Sequence, residues 1–196
     1  MTPSSLLPGV RPVRREPARR RRPVLVRPRP GHPTEVIVSH EGRVLRAAMG
    51  RSGIAALKRE GDGATPRGRV TPLAALTRRP VPLPLPQRPA RAQDGWCDAP
   101  ASGRYNAYVK RPFAASHEAL RRADGLYDVV VVTDHNQRPR VAGGGSAIFF
   151  HVSRPGARGA DLRPTEGCLA FPQAAWQRAV VPLSTYLIGI DPRPCR

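Results

Sequence analysis

From Arg78 to Arg91 the chain reads RRPVPLPLPQRPAR, five prolines in fourteen residues. Proline has no amide hydrogen and a fixed φ, so this stretch suits neither a helix nor a central strand. Residues 71–93 are therefore expected to form an extended connector over the surface. The same constraint runs along the whole chain. Its 24 prolines and 18 glycines make up about a fifth of 196 residues, which favours short strands, turns and loops over long helices. A chain of this length suits one domain with a tail and can bury a core without crosslinks. The fold class expected is mostly β, a β-rich α+β arrangement with a few short helices.

Residues 1–33 hold nine arginines against the single acid Glu16 and show no periodicity. They are expected to be a disordered Arg/Pro-rich tail, with the folded domain spanning 34–196. TEVIVSHEGRVLRAAMG (34–50) then reads as two strands joined at HEGR. SHEALRRADG (116–125) is predicted to be a short amphipathic helix, capped by Ser116 and ended by Gly125. The continuous β-branched run in LYDVVVVTDHN (126–136) predicts a buried strand, as does SAIFFHVS (146–153). PQAAWQRAV (172–180) predicts a short helix, and STYLIGI (184–190) a last strand.

The formal net charge is +19, almost all of it arginine. Such a balance attracts polyanions, whether nucleic acid, anionic lipid or an envelope polymer. With aromatics at 5% there is no stacking cluster or base-reading motif, so specific nucleic-acid recognition is not expected. No run of 18 apolar residues could span a membrane, and no export signal is readable near the start. Nothing in the sequence fixes an oligomeric state.

Three cysteines, Cys97, Cys168 and Cys195, are too few for a disulfide framework and lack CxxC spacing, so no metal site is expected. Cys168 lies in RPTEGCLAFP (163–172) and follows His151, at the end of the AIFFH strand, by 17 residues. A thiol is a strong nucleophile as thiolate, and a neighbouring imidazole is the usual means of generating one. Gly167 leaves room beside the sulfur, and backbone amides there could stabilise an oxyanion. A catalytic thiol of this kind is expected to react well below pH 8.5. Read from residue chemistry alone, Cys168 could equally be a small core residue.

HVSRPGARGADLRPTEGCLAF (151–171) resembles the active-site segment of the L,D-transpeptidase catalytic domain, the YkuD-type family. His151 matches that family's leading histidine, Thr165 its Ser/Thr, Gly167 its glycine, Cys168 its nucleophile and Leu169 the apolar residue after it. GSAIFFH (145–151) and TEGC resemble a divergent subgroup with TxGC in place of SHGC. KREGDGATPRG (58–68), GWCDAPASGRYN (95–106) and LYDVVVVTDHN are similar to further family segments in the same order. Two positions depart: Glu166 stands where the second histidine is common, and Ala170 and Phe171 where arginine or asparagine often follows.

The resemblance implies a mixed sheet or sandwich and no cofactor or metal. It implies acyl transfer on peptidoglycan tetrapeptide stems through a Cys168 thioester, with His151 as base and a carbonyl of Val152 or Ser153 orienting the imidazole. It also implies a periplasmic or cell-envelope location. Arg154, Arg158 and Arg163 precede Cys168 and are candidate contacts for substrate carboxylates. Glu166 could oppose thiolate formation, hold an arginine, or accept the substrate's amino group. Cys97 could pair with Cys195. Hydrolysis of the same intermediate, an L,D-carboxypeptidase activity, and a non-catalytic polyanion- or wall-binding member are the alternatives.

Overall fold

In the computed structural model of the chain, residues 6–10, 22–79, 81–83, 85–156, 162–176 and 184–192 are described. Ten strands form one mixed sheet: β1 Val24–Arg29, β2 His32–His40, β3 Arg43–Ala48, β6 Gly68–Val70, β7 Pro72–Thr77, β8 Gln87–Pro89, β12 Val129–Thr133, β13 Phe149–Val152, β14 Leu169–Phe171 and β15 Tyr186–Ile188. Their order is β6-β15-β1-β2-β3-β14-β13-β12-β7-β8. The pairs β1/β15, β13/β14 and β7/β8 are parallel. β9 Asp94–Cys97, β10 Ala107–Lys110 and β11 His117–Ala119 make a small second sheet, ordered β10-β9-β11, and β4 Ile54–Ala55 pairs with β5 Thr65–Pro66.

The mostly-β expectation holds, and the apolar alternation explains how the strands pack. Val129 and Val131 enter one core with Val26, Val38, Phe150, Phe171 and Tyr186, residues drawn from both ends of the large sheet. Val130 and Val132 enter the opposite core with Leu76, Trp96, Tyr127, Phe149 and Cys168. The uninterrupted valine run is thus a strand buried on both faces. Each large side chain so buried contributes roughly 1.5–3 kcal/mol.

The folded part starts earlier than Thr34. β1 pairs with β2 and β15, and Arg29 and Arg27 are held by Glu35 and Asp191 at 2.7 Å each. Leu6, Leu7 and Val10 are buried in the second core, and Arg88 Nε donates to Pro8 O at 2.6 Å. Cationic composition masked the short Val24–Val26 alternation. Residues 71–93 are likewise not only a surface connector. The proline-free Leu73–Thr77 run lies within β7, one position in from the edge strand β8, and Leu83 and Leu85 are buried. Pro89 stands on the edge strand, where a missing amide costs least.

The helix expected over 116–125 is instead β11 and a turn, because Glu118 and Ala119 pair across β9 with Trp96 and Gly95. Tertiary pairing overrides a weak local preference there. Of the helix expected over 172–180, Gln173–Ala175 is a 3-10 turn, and 177–180 lie outside the described residues.

Candidate active site

Parallel pairing of β13 with β14 sets Phe150 beside Leu169 and His151 beside Ala170. Cys168, one residue before β14, falls opposite Phe149, so thiol and imidazole share a sheet face two residues apart in register. Sγ receives the Phe149 amide at 3.3 Å and donates to Ala147 O at 3.1 Å. Ala147 has φ +51, a conformation costing about 1–3 kcal/mol in a non-glycine residue. Asn106 Oδ1 holds it there by accepting the Ala147 amide at 3.2 Å and Trp96 Nε1 at 2.8 Å.

His151 Nδ1 lies 2.9 Å from Val152 O. A carbonyl only accepts, so Nδ1 carries the hydrogen and Nε2 of the neutral ring keeps a free lone pair. Of the two carbonyls expected to orient the ring, that of Val152 does so. The Ser153 amide instead donates to Phe171 O at 2.8 Å, tying β13 to β14.

Both groups are nearly enclosed, with Cys168 8% and His151 6% exposed. Burial pushes the Cys168 thiol up to about 12; the Glu118 carboxylate adds to this, while the Phe149 amide and the Lys58 charge oppose it. Burial brings His151 down to about 4, opposed by the Val152 carbonyl and reinforced by Arg122. Among the described residues no hydrogen bond joins thiol to imidazole. The resting pair is neutral, and a thiol reactive well below pH 8.5 is not what this conformation presents. Proton transfer to Nε2 has to accompany attack on a bound carbonyl.

The TEGC turn is locally overdetermined. Thr165 Oγ1 donates to Cys168 O at 2.7 Å and accepts the Gly167 amide at 3.1 Å. Thr65 Oγ1 donates to Gly167 O at 2.9 Å and accepts the Gly50 amide at 2.8 Å. Gly167 has φ +141, and a Cβ there would stand 2.8 Å from Ala64 O. Only glycine meets both conditions.

The Glu166 side chain is 78% exposed, and its carboxylate accepts from Arg51 Nε at 3.0 and 3.1 Å. Arg154 is occupied by Asp124, through its backbone carbonyl and its carboxylate at 3.8 Å. Arg163 is exposed, with its amide on Arg154 O at 3.1 Å. Arg158 lies outside the described residues. Cys97 is a buried free thiol, and Cys195 also lies outside them.

A family model for the L,D-transpeptidase catalytic domain, YkuD, matches residues 32–186. The chain belongs to the L,D-transpeptidase catalytic domain family. The comparisons with curated proteins and with solved structures gave no match. Among the described residues no group of three or more His, Cys, Asp or Glu stands close enough to hold a metal ion, and no helix is long and apolar enough to cross a membrane.

Three side chains of this L,D-transpeptidase domain bear on the thiol or the imidazole, by charge or by packing, without any signal in the spacing of Cys168 and His151. Lys58, 7% exposed and paired with Asp62 at 2.5 Å, lends the thiol positive charge. It lies in the KREGDGATPRG segment and borders a groove of about 500 Å³ lined by Leu57, Arg67, His135, Val141 and Gly144. Tyr127 packs on His151, ring centroids 5.3 Å apart, and Glu118 bonds the Tyr127 hydroxyl at 2.5 Å.

Proposed function

We propose that this domain is a cysteine acyltransferase of the L,D-transpeptidase type acting on peptidoglycan tetrapeptide stems in the cell envelope. The observation that carries the reading is the fixed tautomer of His151. Its Nδ1–H is spent on Val152 O, so Nε2 is a base on the sheet face of the Cys168 thiol. As sulfur attacks the carbonyl between the third residue and the terminal D-alanine, the thiol proton passes to Nε2. The carbon–nitrogen bond breaks, and the imidazolium returns that proton to the departing D-alanine amine. An acceptor amine then attacks the thioester and gives a proton to Nε2. The thiolate leaves and takes that proton back. Thr165 and Gly167 hold the nucleophile turn throughout.

With Arg154 engaged by Asp124 and Lys58 by Asp62, the exposed Arg67 guanidinium in the neighbouring groove is the cation offered to a stem carboxylate. The test is incubation with a tetrapeptide muropeptide, with and without an acceptor amine. Crosslinked product that requires the acceptor supports transfer. Tripeptide formed regardless of acceptor replaces it by carboxypeptidase action. Absence of D-alanine release overturns both and leaves a wall-binding role.

A further inference from the structure

The hydrogen bond to Val152 fixes the tautomer of His151 but constrains the ring at one atom only. The Tyr127 ring lies against it, edge-on at 5.3 Å and 65°. Tyr127 is itself braced by Phe149 at 6.3 Å and by Arg122, whose guanidinium lies 5.3 Å over its ring and is held by Asp124 at 2.6 Å. Leu126, the residue before it, is tied to β13 by the Val152 amide at 3.1 Å. A buried phenol needs a polar partner, and Tyr127 finds one in Glu118 at 2.5 Å.

Glu118 is placed by β11, the strand where the sequence predicts a helix. That placement turns a nominal surface charge toward the site. The charged groups facing it are Asp98, Glu60 and Arg122. Arg122 bonds Asp124 through Nε and Nη2, and the hydrogen bond described for Glu118 is the one from the Tyr127 phenol.

We infer that Tyr127 and Glu118 form a positioning pair for the base: the phenol, anchored by Glu118, holds the His151 ring so that Nε2 stays presented to the Cys168 thiol. Neither residue touches the reacting atoms. The pair acts on the geometry of the base. This rests on the reading of Cys168 and His151 as nucleophile and base.

The test compares wild type, Tyr127→Phe and Glu118→Gln in the full chain. Release of D-alanine from a tetrapeptide muropeptide gives kcat and KM, and thermal denaturation gives the folded fraction at the assay temperature. Tyr127→Phe keeps the ring and loses the anchor, so kcat is expected to fall about tenfold or more at unchanged KM with the protein still folded. Glu118→Gln keeps a neutral acceptor for the phenol and is expected to lower kcat less than Tyr127→Phe, again at unchanged KM. A Tyr127→Phe variant with wild-type kcat overturns the inference. A kcat loss matched by loss of folded protein does the same. Wild type that releases no D-alanine overturns the underlying reading, whereas an active wild type with indifferent variants overturns the pair alone.

Discussion

Asp94 opens β9 and Glu118 sits in β11, the strand paired beside it. Asp94 is fully buried and receives Arg88 through both oxygens at 2.8 and 2.9 Å, the Arg91 amide at 2.7 Å and the Tyr108 hydroxyl at 3.0 Å. Burial pushes its carboxyl up, but these bonds and the Arg88 charge outweigh it and hold Asp94 below the usual carboxylate range. Glu118 has one phenol, the Arg122 charge and two like charges nearby, and burial leaves it above that range. The first carboxylate has a complete set of partners and belongs to the framework. The second has one described hydrogen bond, to the phenol that packs on His151. Within one small sheet, partner completeness separates residues that hold the fold from residues available for chemistry.

The largest stability effect is expected on the framework side. Asp94→Asn leaves Arg88, 6% exposed, buried beside a neutral amide and costs about 3–5 kcal/mol in denaturant unfolding at pH 7. Because Asp94 has a lowered carboxyl, its contribution is present above about pH 3.9, the unfolded value, and is lost as pH falls through the folded one. A neutral substitution with no cost would erase the contrast with Glu118.

The candidate site gives a different pH signature. His151 is held at about 4, below its unfolded value of about 6.5. Its stabilising effect is therefore present above pH 6.5 and lost as pH falls from 6.5 toward 4, by about 3 kcal/mol over that window. His151→Gln is expected to remove that part of the acid limb in unfolding curves run from pH 7 to 4. An unchanged limb contradicts a neutral buried imidazole.

Gly167→Ala is next. Its positive φ and the 2.8 Å approach to Ala64 O predict a loss of about 1–3 kcal/mol, with a further fall in acylation as the nucleophile turn shifts. Thermal denaturation beside acylation rates would show both. Glu166→Ala is expected to do least. An exposed pair with Arg51 is worth about 1 kcal/mol or less, and the pH midpoint of Cys168 alkylation by iodoacetamide should not move. A moved midpoint would bring Glu166 back beside the sulfur.

Much of the fold was legible in residue pattern, and the candidate site only in part. The VVVV and AIFF runs announced strands because burial on both faces demands unbroken apolar sequence. Cys168 and His151 could be read together because they flank one loop between paired strands. Glu118 and Tyr127 could not be read with them, because they meet His151 only through pairing of β11 with β9 and through the turn before β12. A helix pattern over 116–125 hid the strand that places Glu118. The Thr34 boundary failed for a related reason: Arg27 and Arg29 look like tail composition until Asp191 and Glu35 are brought beside them by the sheet. Glu166 was ambiguous in one dimension and is resolved by Arg51, 115 residues earlier.

The central claim is that Cys168 is the residue acylated, with a neutral His151 as its base. The most direct measurement is peptide-mapped mass spectrometry after incubation with a tetrapeptide muropeptide or a carbapenem, on wild type, Cys168→Ala and His151→Ala. The account predicts an adduct on Cys168 of wild type alone, none in Cys168→Ala despite an unchanged circular-dichroism spectrum, and at least about a hundredfold slower adduct formation in His151→Ala. An adduct on Cys97 or Cys195, or acylation at an undiminished rate without His151, would contradict it.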